Sequence, residues 1–219
     1  MTKIGSIVAA VLLVFGIHAN AFNDLQDVDS VKVNSIDRLT ELDLIHGYPD
    51  GSFMPNNIVT RAEMTHILAK ILFAGDSADN IYVYATYPDV PHDHWAFASI
   101  EQMSKLFMIN GYEDGTFKPN NGVTYGEAIK IIVNMLNYEH EAEENGGYPN
   151  GYIAVAESIG LTKNLDYEPD KSATRADIAV MVNNSLDIPH MIITSYTMNG
   201  DIECVVNDRL TFYNLITYN

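Results

Sequence analysis

The sequence predicts an all-α chain of repeated helix–loop–helix units that ends in a short β-hairpin. Three observations predict it. Residues 47–60, GYPDGSFMPNNIVT, recur at 111–124 as GYEDGTFKPNNGVT, a gapless offset of 64. At Thr60, Thr124 and Thr174, a threonine followed three residues later by an acid opens an apolar stripe at helical spacing. Near the C-terminal end, the strand-like runs Ile192–Tyr196 and Ile202–Val206 flank Asn199-Gly200, a dipeptide favoured in tight hairpin turns.

The elements follow in chain order. Residues 1–21 read as an export signal: a weakly positive start at Met1–Lys3, a mostly apolar run from Ile4 to Ile17, and the small-x-small pattern Ala19-Asn20-Ala21. The run is short of the roughly 20 residues a membrane span needs, so cleavage before Phe22 is expected, with no membrane attachment afterwards. The first unit occupies 22–72. Ile36, Leu39, Leu42 and Ile45 mark its first helix, Gly47 suits a left-handed helix exit and Pro-Asp-Gly a tight turn. Thr60 with Glu63 has the form of a capping box, and Met64, Ile67, Leu68, Ile71 and Leu72 form the second stripe.

The second unit, 87–136, repeats the plan. Ile100, Met103, Leu106 and Phe107 mark its first helix; Thr124 with Glu127 caps the second, whose stripe is Ile131, Ile132, Met135 and Leu136. The linkers 73–86 and 137–147 break the pattern, and the second, NYEHEAEENGG, reads as acidic and solvated. A looser third unit spans 148–186. Tyr167, Pro169 and Thr174 keep the spacing of Phe53, Pro55 and Thr60, but the GYxDG turn is missing. Its stripe is Ile178, Met181, Val182 and Leu186. A lone helix pair leaves an apolar face uncovered, so the units are expected to pack around a shared centre. Residues 187–219 form the β-hairpin tail, which, being marginal alone, must dock on the helices or begin a further domain.

Composition removes several function classes. Asp plus Glu number 29 against 12 Lys plus Arg, a formal net charge of −17. Nucleic acid is excluded as a partner, because phosphate binding needs clustered cations. A small anionic ligand, which needs one or two placed cations, is not excluded. Cys204 is the single cysteine, so no disulfide forms within the chain, and nothing around it marks a nucleophile. His92 and His94 with Asp89 and Asp93 lack a third ligand at a recognised spacing, so no metal site is expected. Nothing asks for a cofactor.

The combination of Tyr87-x-Asp89, His94-Trp95-Ala96, GYEDGTFKP and Thr-Arg-Ala-Glu, repeated after an export signal, resembles S-layer homology (SLH) domains. The resemblance covers about residues 22–186, with the third copy similar to the divergent last repeat of proteins from Gram-positive, spore-forming anaerobes. It implies three helical repeats in a pseudo-threefold bundle, exported to the cell wall. It also implies non-covalent surface anchoring, by binding a secondary cell-wall polysaccharide, often pyruvylated, in grooves between repeats. The arginine of the TRAE motif is the implied partner of the ketal carboxylate. The resemblance likewise implies that Trp95 and the turns at Gly47–Gly51 and Gly111–Gly115 shape the groove.

The residues themselves rank these roles. Capping alone accounts for Thr60, Glu63 and their counterparts. Arg61 and Arg175 stand in a first helical turn, where a cation opposes the helix dipole, so a ligand or an ion pair must explain them. A helix N-terminus beside a guanidinium is a good carboxylate site. Trp95 serves either core packing or sugar stacking. Asp50 and Asp114 fix their turns, with a groove contact second. The pattern has gaps: Tyr125 replaces the arginine in the second unit, Val31 stands at the tryptophan position of the first, and the third lacks the turn. One or two competent grooves are therefore expected. The chain is read as no enzyme. The alternatives are a structural surface protein assembling through protein–protein contacts and, with less behind it, a hydrolase of wall glycans.

Overall fold

The computed structural model describes residues 22–73, 85–196 and 202–217. The export signal and the Asn199-Gly200 turn lie outside these residues. The described elements are helices α1 (Ser30–Glu41), α2 (Arg61–Leu72), α3 (Phe97–Lys105), α4 (Tyr125–Met135), α5 (Glu139–Glu144), α6 (Asn150–Ser158) and α7 (Arg175–Leu186), strands β1 (His190–Tyr196) and β2 (Ile202–Asn207), and helix α8 (Phe212–Thr217). The chain is mostly helical, with one antiparallel two-stranded hairpin. No described helix is long and apolar enough to cross a membrane.

The three threonines begin helices as expected. Thr60 Oγ1 accepts from Glu63 N while Glu63 Oε2 accepts from Thr60 N at 2.8 Å, and Thr124 with Glu127 repeats this capping box. In the third unit Thr174 caps Asp177 N, but the reciprocal half is missing. Aspartate is one methylene shorter than glutamate, and its carboxylate turns to other partners.

Helices pair across units rather than within them: α2 packs on α3, α4 on α6, and α7 on α1. The connecting loops close the cycle. Val59 N donates to Ala173 O at 3.0 Å, Ala173 N to Val123 O at 2.9 Å, and Val123 N to Val59 O at 2.9 Å. Each capped helix then rests its first N–H groups on the loop of the next unit. Arg61 N donates to Asn121 O and Ala62 N to Pro119 O; Tyr125 N to Lys171 O and Gly126 N to Pro169 O; Arg175 N to Asn57 O and Ala176 N to Pro55 O. These bonds satisfy donors that a helix leaves unpaired. The expected stripes of the three capped helices lie against one continuous core, including Met64, Leu68, Ile132, Met135, Ile178 and Met181.

Four expectations need correction. The left-handed helix exit falls not on Gly47 but on Asp43 (φ 60°), with Phe107 (φ 57°) and Gly160 (φ 81°) as its counterparts. Gly47 and Gly111 are glycine for closeness: a Cβ on Gly47 would lie 2.2 Å from the Phe22 ring, and one on Gly111 2.4 Å from that of Tyr87. Leu106 and Phe107 do not continue the buried stripe. They are 49% and 80% exposed, because the left-handed turn at Phe107 redirects the chain. The linker 137–147 is not simply solvated, since it forms α5 and buries Tyr138 and Ala142 against the core. The tail holds α8 as well as the hairpin, and docks: Met191 N donates to Leu136 O, Tyr138 Oη to Pro189 O, and Phe212 is fully buried against His190.

The candidate ligand clefts

Two clefts on this frame are built from equivalent residues. The first is lined by Leu44, Ile45, His46, Glu63, His66, Ile67, Lys70, Trp95 and Arg175, and encloses about 150 Å³. The second is lined by Met108, Ile109, Asn110, Glu127, Lys130, Ile131 and Asn134, with Phe107, Tyr148 and Arg61, and encloses about 270 Å³. Seven residues of the first recur in the second at the offset of 64. Each cleft draws on all three units. One unit supplies the helix wall, the next an aromatic at its mouth (Trp95 or Tyr148), and the third an arginine at its floor (Arg175 or Arg61). Both volumes fall below the usual range for small-ligand sites, about 300–1,000 Å³.

The arginines are structural pins as well as cleft residues. Arg61 is 6% exposed; its Nε donates to Phe117 O at 2.9 Å and its Nη2 to Asn110 O at 2.9 Å. Its guanidinium lies over the Tyr112 and Phe117 rings, 4.7 and 4.8 Å from their centroids. Arg175, 5% exposed, repeats this on Phe53 O and His46 O, and sits over Tyr48 and Phe53. Its Nη1 is 3.6 Å from Glu63. The expected helix-terminus anion site is not open. The first backbone donors of α2 and α7 are held by the neighbouring loop, and the next by the capping threonine. What each guanidinium offers a cleft is its remaining Nη1 edge and its charge.

The turn residues stand apart from the clefts. Asp50 Oδ1 accepts from Ser52 N and Oγ; Asp114 Oδ1 does the same for Thr116, and Lys118 Nζ lies 2.9 Å from its other oxygen. Bonds from Thr116 and Lys118 hold the Asp114 carboxyl at about 2. Gly47 and Gly111 pack on Phe22 and Tyr87. The acids that anchor the loops are Asp24 and Asp89. Asp24 accepts from Phe53 N and Met54 N, and Asp89 from Phe117 N and Lys118 N, at 2.7–2.9 Å. They hold Met54 and Lys118 in the left-handed region, each at φ 57°.

Trp95 is 59% exposed, with the His66 ring at its edge and the His94 ring stacked beside it. It is a cleft aromatic rather than a core residue. Tyr148, 48% exposed, has the same position at the start of α6, and Lys130 reaches over its ring at 5.2 Å. Burial pushes the Tyr148 hydroxyl up, with Glu127 and Asp170 adding to it. The sequence reading did not single out Tyr148, Lys130, Lys70 or His66. The signal was there, since Lys130 and His66 align at the repeat offset and Tyr148, like Trp95, stands just before a helix.

The third equivalent position is filled. Tyr125 replaces the arginine and donates from its hydroxyl to Asp177 Oδ2 at 2.6 Å, while Lys32 Nζ lies 2.7 Å from Asp177 Oδ1. Burial and Asp177 push the Tyr125 hydroxyl up to about 12. Val31, at the tryptophan position, is 36% exposed. Elsewhere, no group of three or more His, Cys, Asp or Glu among the described residues is placed to hold a metal. His94 Nδ1 accepts from Ala96 N, and His92 packs on Phe97.

Helical units whose loops bond to one another, with a cleft at two of their junctions, define a helical repeat module. Residues 21–65 and 86–129 each match the S-layer homology domain. It is 30% identical over 192 residues to a surface layer protein of Brevibacillus choshinensis, covering 87% of this chain and 17% of that one. It is 29% identical over 190 residues to the middle cell wall protein of Brevibacillus brevis, covering 87% and 18%. To a cellulosome-anchoring protein of Acetivibrio thermocellus it is 29% identical over 157 residues, covering 65% and 35%. The chain thus spans between about a sixth and a third of these relatives, whose names describe surface, wall and anchoring proteins and not enzymes.

Proposed function

We propose that this chain is a non-enzymatic, cell-surface anchoring module that grips a secondary cell-wall polysaccharide through a carboxylate-bearing unit, such as a pyruvylated amino sugar. Units 22–72, 87–136 and 148–186 form one three-repeat, pseudo-threefold bundle, with 187–219 as a docked tail. The observation that carries this reading is the duplicated cleft. In each, an arginine floor and a lysine or histidine wall supply positive charge, in a protein that is otherwise strongly acidic. An exposed aromatic at the mouth supplies an apolar face for a sugar ring. The family and the names of the surface-anchoring relatives support the same placement at the wall.

Hydrolysis has no support in the clefts. Glycoside cleavage needs two carboxylates, about 5–10 Å apart, at the scissile bond. Each cleft is lined by one, Glu63 or Glu127, and both are engaged in capping boxes. Assembly through protein contacts has one observation in its favour: Ile193, Val205 and Val206 on the hairpin are 45–50% exposed.

The test is a pull-down of the chain from Phe22 onward with native wall sacculi, and with sacculi stripped of secondary polymer. A variant with both clefts blunted, Lys70→Gln/Trp95→Ala/Lys130→Gln/Tyr148→Ala, runs alongside. Binding that needs both the polymer and the cleft residues is expected. Equal binding to stripped walls would overturn the proposal, and concentration-dependent oligomers without polymer would favour assembly.

A further inference from the structure

The two clefts share a frame but not their titratable groups. In the second, the helix position facing the mouth is Lys130, and no titratable group stands at Asn110 or Asn134. Its fixed charges are Arg61 and Lys130 against Glu127, a net of +1. In the first, the same three positions are His46, His66 and Lys70. The lining charges there are Arg175 and Lys70 against Glu63, the same net of +1 while the histidines are neutral, and Lys70 Nζ is held 3.1 Å from Asp43 Oδ2 beside the cleft.

The geometry around Lys70 depends on protonation. Its ammonium lies 3.0 Å from His46 Nε2, a contact an ammonium makes only to an unprotonated ring nitrogen. The same Nε2 is 3.5 Å from Asp43 Oδ1. A proton on His46 removes the acceptor that Lys70 uses and sets a second positive charge beside Asp43 at the edge of the cleft. His66 stands one turn earlier on α2, with Nδ1 2.9 Å from Ser99 Oγ on α3 and its ring against Trp95. The titratable and charged groups facing the pair are Asp43, Glu63, Lys70 and Arg175, with His94 behind Trp95. Burial, then Lys70 and His46, hold the His66 ring below its ordinary value of 6.5.

We infer that the first cleft is a proton-gated anion site, taking its ligand with proton uptake on His46 and His66, while the second takes the same ligand without it. The inference rests on the carboxylate-ligand reading above. A bound carboxylate stabilises the protonated rings and the rings in turn stabilise the carboxylate, so proton and ligand bind cooperatively. The sugar carboxylate stays ionised throughout, since such acids titrate near 3–4. Affinity at the first cleft therefore rises as pH falls from about 7.5 to 5.5, the range in which histidine changes charge. The limit is about tenfold per pH unit for each proton taken up. The first cleft would thus tighten in a mildly acidic wall, while the second would hold unchanged.

The experiment is titration calorimetry of the chain from Phe22 onward. The probe is a methyl glycoside of an N-acetylated hexosamine carrying a pyruvate ketal, at pH 5.5, 6.5 and 7.5, with two buffers of different ionisation heat to count protons. Lys130→Gln/Tyr148→Ala isolates the first cleft, and His46→Gln/His66→Gln removes its titration. Circular dichroism checks that each variant is folded. Expected is at least about a tenfold gain in first-cleft affinity from pH 7.5 to 5.5, with proton uptake near one. The histidine variant should change by less than about twofold. First-cleft binding that is flat with pH, or a gain shared equally by the histidine variant, overturns the gating and leaves the carboxylate reading standing. No binding by the parent chain at any pH overturns both.

Discussion

Replacing Arg61 by alanine removes more than a proposed ligand contact. The side chain is 6% exposed and makes two charge-assisted bonds, to Phe117 O and Asn110 O, both in the loop of the next unit. Bonds of this kind contribute about 1.5–3 kcal/mol each, and the two carbonyls would be left without that donor, so the expected loss is about 3–6 kcal/mol. For a domain of this size each kcal/mol moves the midpoint by about 2–4 °C, so Tm should fall by about 6–24 °C in a calorimetric scan. Arg61→Lys recovers the charge but not the two-pronged geometry, and should recover less than half of the loss. The double variant Arg61→Ala/Arg175→Ala removes both pins and approaches the whole stability of an ordinary domain, about 5–15 kcal/mol. Wall binding lost in that double variant would therefore report unfolding. Lys130→Gln and Trp95→Ala, at the cleft surface, should melt within about 2 °C of the parent. An Arg61→Ala chain that also melts within that margin would refute the pinning argument.

Other perturbations separate packing from binding. Gly111→Ala places a Cβ 2.4 Å from the Tyr87 ring and 2.7 Å from Thr116 O, and should cost about 1–3 kcal/mol in denaturant unfolding. Gly115→Ala meets open space and costs only its left-handed φ, about 1–2 kcal/mol. Trp95→Ala should weaken sugar binding about tenfold in the first cleft and leave the second unchanged, read by calorimetry with each cleft isolated. Burial opposes ionisation of Asp177, but bonds from Lys32, Tyr125 and Thr174 outweigh it and hold the carboxyl below its ordinary 3.8. A depressed carboxyl stabilises the fold above that value and loses its effect as pH falls through the lower folded value. Tm should thus fall more steeply in the parent than in Asp177→Asn between roughly pH 5 and 2, and parallel curves would refute the network's role.

The repeat was legible because it rests on local rules. Thr60-x-x-Glu63 and Thr124-x-x-Glu127 are capping boxes wherever they stand, and the stripe of Ile131, Ile132, Met135 and Leu136 needs a core whatever the topology. Errors came where a tertiary contact decides. Gly47 looks like a helix exit in sequence, but its reason is Phe22, 25 residues earlier, pressing on it. The acidic linker at 137–147 reads as solvent-facing, because nothing local announces that Ala142 lies under α6, its carbonyl where a Gly151 side chain would be. Asp24 and Asp89 resemble any surface acid until the backbone N–H groups 29 or so residues later are brought to them.

The clefts were the least legible feature, for a physical reason. A cleft belongs to no single unit: its wall, mouth and floor come from three different stretches, joined only when each helix start docks on the following loop. Conservation of a motif within one unit therefore says little about the cleft that unit carries. The second unit departs from the arginine pattern at Tyr125, yet its own cleft is intact, because Arg61 of the first unit forms the floor. The departure is felt one unit on, where Tyr125 bonds to Asp177 and Lys32 pairs with the same carboxylate. Degeneracy in one repeat is thus displaced onto its neighbour. In a cyclic module of this kind, the number of working clefts follows from triplets of positions such as 61, 130 and 148, and not from counting intact repeats.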